Sequence, residues 1–231
     1  MIMNLRQRFA ASNRNFSSTP DSVAVVLREA ISSGLFSDGQ PLRQDEIANE
    51  LGISKIPVRE ALRQLEAEGL VDLLPNRGAV VAALSASEAR EIMEIRVALE
   101  TLAVRLSVPE STGRTLRQAK DILTDLDQEN DVARWSKLNR EFHTTLYTPA
   151  NRPQLLKLIQ IQHTHVDRYM RIMLATLSYQ PRSQQEHRDL VKAYERRDIG
   201  EAVTILTRHI ETAGTLLVTY LEQRESTEEQ G

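Results

Sequence analysis

The sequence predicts a mainly α-helical chain in two parts: a small N-terminal unit of short helices closed by a β-hairpin, and a larger all-helical bundle. Three observations carry this. From Asp21 the apolar residues Val23, Val26, Leu27, Ala30 and Ile31 recur on one helical face. The helical period then breaks for a single hairpin signal, in which Val71-Asp72-Leu73-Leu74, Pro75-Asn76-Arg77-Gly78 and Ala79-Val80-Val81 read as strand, turn and strand. Beyond Leu84 every segment is helical again, with no Gly-rich phosphate loop and no low-complexity linker.

In chain order, residues 1–20 are polar, carry Arg6, Arg8 and Arg14 with no acidic residue among them, and read as a disordered tail. A helix follows from Asp21 until Gly34 ends the run. Gly39-Gln40-Pro41 reads as a loop. Gln44 to Glu50 forms a short helix with Ile47, Ala48 and Leu51 turned inward, and Gly52 closes it. The next helix starts after Ser54, a residue suited to an N-cap, and ends at Gly69. Pro57 is tolerated in it because first-turn amides have no intrahelical partner. Three helices and a hairpin between residues 21 and 84 make the layout of a winged helix-turn-helix. Ser85 with Glu88 forms a capping box that opens a helix running to about Val108. Further helices cover roughly 113–128, 131–148, 153–177 and 182–197, and Asp198 with Glu201 caps a sixth to about Arg224. Residues 85–224 thus form one bundle, and 225–231 read as a polar, flexible tail.

Composition narrows the class. In 231 residues there is no cysteine, which excludes a disulfide scaffold and any thiolate zinc finger. The first ten residues lack an apolar core for a signal peptide, and the longest apolar stretches, such as Gly78 to Leu84, are too short to span a bilayer. A cytoplasmic location with no membrane partner follows as the expectation. The formal net charge of −3 excludes a histone-like protein that relies on bulk attraction to DNA. It leaves room for a small basic face presented twice by a dimer.

That face is found on the helix after Ser54. Val58, Leu62 and Leu65 are spaced to pack inward, while Lys55, Arg59 and Arg63 recur every four residues on another side. Three spaced cations alone are what any solvated helix carries. Here they coincide with the Gly52 turn, the preceding short helix and the following hairpin, and guanidinium groups so placed reach guanine edges or flanking phosphates in the major groove. The run Asp45-Glu46-Ile47-Ala48-Asn49-Glu50-Leu51-Gly52-Ile53-Ser54-Lys55-Ile56-Pro57-Val58-Arg59-Glu60-Ala61-Leu62 resembles the helix-turn-helix of the GntR family of transcription regulators. Arg63 through Val71 and the wing tip Asn76-Arg77-Gly78 continue the likeness. The resemblance implies that Lys55, Arg59 and Arg63 face DNA and that the wing, with Arg77 and Gly78, enters the minor groove. Lys55 stands where relatives carry Arg, giving a point charge in place of a planar fork. Ile56 stands where they carry Thr, supplying an apolar group able to touch a thymine methyl.

All five histidines lie in the helical half. His143, His187 and His209 fall on three separate helices, each on a face that also carries apolar residues. A histidine so placed is commonly a core residue; three converging ones would make a site for a divalent transition metal. His163 and His165 are two apart, cannot share a helix face, and read as structural or exposed. Trp135 and the Met170/Met173 pair read as packing. Leu138-Asn139-Arg140-Glu141-Phe142-His143-Thr144-Thr145-Leu146-Tyr147 resembles the ligand-binding (FCD) domain of the FadR subfamily, as do Glu186-His187-Arg188, Arg208-His209-Ile210 and Glu94-Ile95-Arg96-Val97-Ala98-Leu99-Glu100. Six helices resemble its VanR-type variant. In that subfamily an Asp and three His hold a metal whose open positions accept an effector carboxylate.

Carried over, the resemblance implies Asn139, His143, His187 and His209 as ligands to zinc, nickel or manganese, with Arg96 meeting an anionic effector. Asn139 replaces the usual Asp, a weaker ligand that leaves the site one unit more positive. The implied protein is a homodimeric regulator, a repressor by expectation, that binds palindromic double-stranded operator DNA and responds to a small organic acid. Two rivals are a metal-dependent enzyme built on the bundle and a constitutive DNA-binding dimer without effector. No Asp or Glu stands out from the sequence as a general base beside the ligands, and there is no second cofactor motif, so no enzyme activity is expected.

Overall fold

The computed structural model describes residues 5, 9, 19–74, 78–177 and 180–228. The chain divides into two compact units, 1–83 and 84–231, each with its own hydrophobic core.

In the first unit α1 (Thr19–Ser32) buries Val23, Val26, Leu27, Ala30 and Ile31 against α3. Helix α2 (Gln44–Leu51) ends at Gly52, whose left-handed backbone (φ 69°) lets the Ile53 amide return to the Ala48 carbonyl at 3.0 Å. That tight end sets α3 (Lys55–Ala67) directly after α2. Ser54 has the extended cap backbone, but its side chain accepts no capping hydrogen bond. Arg28 on α1 grips Glu68 beyond α3 through two contacts of 2.7 and 2.5 Å, and Gln64 donates to Asp21.

Strand β1 (Pro41–Leu42) pairs antiparallel with β3 (Gly78–Val81), which pairs on its other side with β2 (Val71–Leu74), in the order β1-β3-β2. The loop expected at Gly39-Gln40-Pro41 therefore ends in a short edge strand. Two residues carry no alternation to read, and the ladder partners Val80 and Ala79 lie far along the chain. Pro41 is admissible because an edge strand needs no donor on its outer side. Leu5 and Phe9 are buried in this same core, and Thr19 and Pro20 already belong to α1, so the expected tail of residues 1–20 is anchored in part; Arg6, Arg8 and Arg14 lie outside the described residues, as do Pro75, Asn76 and Arg77.

The second unit is all helix among the described residues: α4 (Ala86–Ser107), α5 (Gly113–Gln128), α6 (Val132–Tyr147) with a 3-10 turn (Thr148–Ala150), α7 (Pro153–Leu177), α8 (Gln180–Glu195) and α9 (Ile199–Glu228). Their starts are written in polar residues. Ser85 accepts from the Glu88 amide at 3.2 Å while Glu88 accepts from the Ser85 amide at 3.0 Å, the reciprocal capping box. Thr112, Asp131 and Asp198 accept from the third residue of α5, α6 and α9. Helix α9 runs on through Glu228, past the expected end at Arg224, because Glu225 accepts the Ala86 amide of α4 at 2.8 Å. Helix α4 packs along α9 and also meets α6 and α7, so it forms one wall of the bundle interior. No described helix is long and apolar enough to cross a membrane.

Candidate functional site

In the N-terminal unit, α3 buries Val58, Ala61, Leu62 and Leu65 and turns Lys55, Ile56, Arg59 and Arg63 outward. Lys55 pairs with Asp45 of α2 at 2.6 Å. Neither Arg59 nor Arg63 forms an ion pair among the described residues, so both guanidinium groups are available to an incoming anion. Ile56 is 58% exposed, the most exposed large apolar side chain of the chain's described part. An apolar group there gains nothing from the protein's own core. Gly78 opens β3 with φ 82°, a conformation that suits glycine at a hairpin tip.

In the bundle, α6, α8 and α9 bring His143, His187 and His209 together: one ligand nitrogen from each lies within 4.8 Å of the others, and all three are buried. The ring protons are placed by neighbours. His187 Nδ1 lies 3.0 Å from Gln184 Oε1, and the Gln184 amide is oriented by donating to Asp127 at 2.8 Å. His209 Nδ1 lies 2.9 Å from Glu186 Oε2. His143 Nδ1 lies 3.2 Å from the Tyr147 hydroxyl. The Gln184 and Glu186 oxygens can only accept from a ring N–H, so these two contacts place the proton of His187 and His209 on Nδ1 and leave Nε2 with the lone pair. His143 Nε2 is buried without a hydrogen-bond partner, and so is Asn139 Oδ1. An orphaned imidazole nitrogen and an orphaned amide oxygen one turn apart on one helix are both lone-pair donors and fit a cation. Burial first, then the neighbouring His209, push the pKa values of His143 and His187 well below the usual imidazole value, so these rings are neutral and competent as ligands.

Beside the imidazoles lies a cavity of about 50 Å³, lined by Arg96, Asn139, His163, Asp167, Ser183 and His209 among others. Arg96 is 8% exposed, and its Nε donates to Glu100 at 2.8 Å. Glu100 is fully buried; it also takes a hydrogen bond from Tyr147 on Oε2 and faces His163 Nε2 at Oε1, both at 2.8 Å. Burial alone would raise the Glu100 pKa, but Arg96, His163 and His143 together hold it well below the usual carboxylate range. Of the two readings open for His163, structural or exposed, the structure has the buried one. It is buried, it bonds a carboxylate, and it lines the cavity, because α7 packs against α4. Its ring centre is 6.5 Å from that of His143 and its Nε2 is committed to Glu100, so it stands outside the group of three. Trp135 and Met170 also line the cavity.

Sequence reasoning missed Glu100, Tyr147, His163, Gln184 and Glu186 as partners of the site. Tyr147 stands one turn after His143, and Glu186 adjoins His187, so both were within reach of spacing arguments. His163 was not, since its partner sits on another helix.

A winged helix with outward cations and a separate helical unit with a buried polar pocket define a DNA-binding transcription regulator. Residues 91–212, more than half of the chain, match the FCD domain, and residues 19–81 match the bacterial regulatory proteins of the gntR family. The chain belongs to the GntR family, in the group that carries an FCD domain. It is similar to an HTH-type transcriptional regulator in the TAR-I ttuE-ttuC′ intergenic region of Agrobacterium vitis, 35% identical over 127 residues, 52% of this chain and 74% of that one. It is 27% identical over 190 residues to the HTH-type transcriptional repressor RspR of Escherichia coli, covering 80% and 83%. The crystal structure of a GntR-family transcriptional regulator from Pseudomonas syringae superposes with a TM-score of 0.59 at 29% identity, over 98% of both chains. These relatives are regulators, not enzymes.

Proposed function

We propose that this chain is a cytoplasmic, homodimeric repressor whose affinity for a palindromic operator is set by a small organic acid bound at a divalent transition-metal centre. The observation that carries the reading is the donor set in the bundle: three buried imidazoles with ligand nitrogens within 4.8 Å of one another and an orphaned Asn139 oxygen one turn before His143, with the buried guanidinium of Arg96 lining the same cavity. Asn139, His143, His187 and His209 would hold the ion. When bound, zinc, nickel or manganese would offer open positions for a carboxylate. With no anionic ligand in the set, the ion's charge is unneutralised, which favours an anion in the cavity. The large surface groove of about 730 Å³ between α4 and α9 is a poorer host for an acid, since it sets Glu94, Glu211 and Glu222 against Arg90 alone.

Lys55, Arg59 and Arg63 would meet the operator, with Ile56 against a thymine methyl and the wing residues Arg77 and Gly78 in the minor groove. A dimer offers that face twice. The acid regulates only if it binds the DNA-competent and incompetent states unequally, and a difference of about 1–3 kcal/mol suffices for a switch.

The test is a thermal-shift series of small carboxylic acids with and without Zn²⁺, Ni²⁺ or Mn²⁺, followed by anisotropy titrations on duplexes from the region upstream of its own reading frame. Metal and acid together should raise Tm and change duplex affinity. If no acid or ion moves either quantity, the effector reading falls and a constitutive DNA-binding protein remains.

A further inference from the structure

Building on that metal reading, we infer that Tyr147 and Glu100 are positioning residues for the ligand His143, and that the same carboxylate sets Arg96 for the anion. The position of one proton decides the role of each group. The Tyr147 hydroxyl has a single hydrogen and lies 2.8 Å from Glu100 Oε2. Glu100 is ionised and can only accept, so the phenol donates to it. The phenol oxygen is then an acceptor toward His143 Nδ1 at 3.2 Å. The imidazole proton is therefore on Nδ1, and the buried, unpartnered Nε2 carries the lone pair.

The three imidazoles reach the same tautomer by three unlike partners: Gln184 holds His187, Glu186 holds His209, and Tyr147 holds His143. The third route leads on to Arg96 and His163, which line the cavity. Glu100 Oε1 is shared by Arg96 Nε and His163 Nε2, both at 2.8 Å. One carboxylate on α4 thus fixes a ring on α6 through a phenol, fixes a ring on α7 directly, and fixes the guanidinium that faces the cavity. The metal ligand and the anion-binding cation keep their spacing because both are tied to Glu100.

The experiment compares the full chain with Tyr147→Phe, Glu100→Gln and their combination, using Zn²⁺ affinity by competition with a chelating dye and ¹⁵N NMR of the imidazoles in the metal-free protein. Tyr194→Phe is the control, since its hydroxyl is also buried but meets Ser107 at 2.8 Å. The parent should show His143 protonated on Nδ1. Tyr147→Phe should lose that signature and bind Zn²⁺ about 10-fold more weakly or worse. The double variant should be no weaker than the poorer single one, because both act along one route, and Tyr194→Phe should match the parent. Parental Zn²⁺ affinity together with an unchanged His143 tautomer in Tyr147→Phe would overturn the inference. Should Glu100→Gln fail to fold, Tyr147→Phe alone decides. Failure of the parent to bind Zn²⁺ would instead sink the metal reading, while the metal-free tautomer still tests the hydrogen-bond route on its own.

Discussion

Asn139 concentrates the chemistry of this site in one side chain. A buried amide oxygen without a hydrogen-bond partner costs about 1–3 kcal/mol, a cost that an ion at the proposed metal site would offset at Asn139 Oδ1 and at His143 Nε2 together. Asn139→Asp would supply a charged oxygen at the same place. The expected outcome is a rise in Zn²⁺ affinity of at least the ~10-fold that a single outer partner is worth, measured by dye competition, with weaker binding of organic acids. On the DNA side, Arg59→Ala is expected to cost about 1–3 kcal/mol if the guanidinium reads a base edge. A phosphate contact would instead lower the slope of log affinity against log salt by ~0.9. Anisotropy titrations at several salt concentrations separate the two, and full retention of affinity and slope would remove Arg59 from the interface.

At the scale of elements, the helix starts are the part of the fold written most locally. Ser85 and Glu88 close each other's backbone groups within four consecutive residues, and the structure has both bonds. Ser85→Ala should cost about 1 kcal/mol of bundle stability, read as a drop in Tm. The hydrogen bonds from Ser85 lower the Glu88 pKa below 4.5, so the stability tied to that carboxylate is present above 4.5 and is lost as pH falls through the lower folded value. The Tm gap between parent and Ser85→Ala is therefore expected to narrow as pH falls below 4.5; a gap constant with pH would mean that Glu88 contributes nothing. By contrast β1 has no local signature. Pro41 and Leu42 are a strand only because Val80 and Ala79 arrive beside them.

For the whole molecule, two separate hydrophobic cores imply two folding units. A fragment spanning 84–231 is expected to fold with a cooperative transition of its own and to retain the parental Zn²⁺ affinity; an unfolded fragment would show that the cores are not independent. In the metal-free protein, His143, His163 and His187 have folded pKa values lowered by burial. The unfolded chain then takes up protons first as pH falls below about 6.5, so stability declines from there toward the lower folded values. Glu100 is ionised in both states across that window and adds no slope. Chelator-treated protein should therefore lose Tm steadily between pH 7 and pH 5, and a flat profile would contradict buried, neutral imidazoles.

Periodicity and punctuation were enough to lay out both units, the order of helices, the outward cations of α3 and the three histidines on separate helices, because each of these depends on residues within a few turns of one another. The same patterns said nothing of which partner each imidazole would meet. Glu100 lies on α4, Tyr147 on α6 and His163 on α7, and only packing of those helices makes one carboxylate the meeting point of all three with Arg96. A hydrogen bond between distant helices depends on how they stack, and helical spacing in the chain records one face of each helix but not the face it meets.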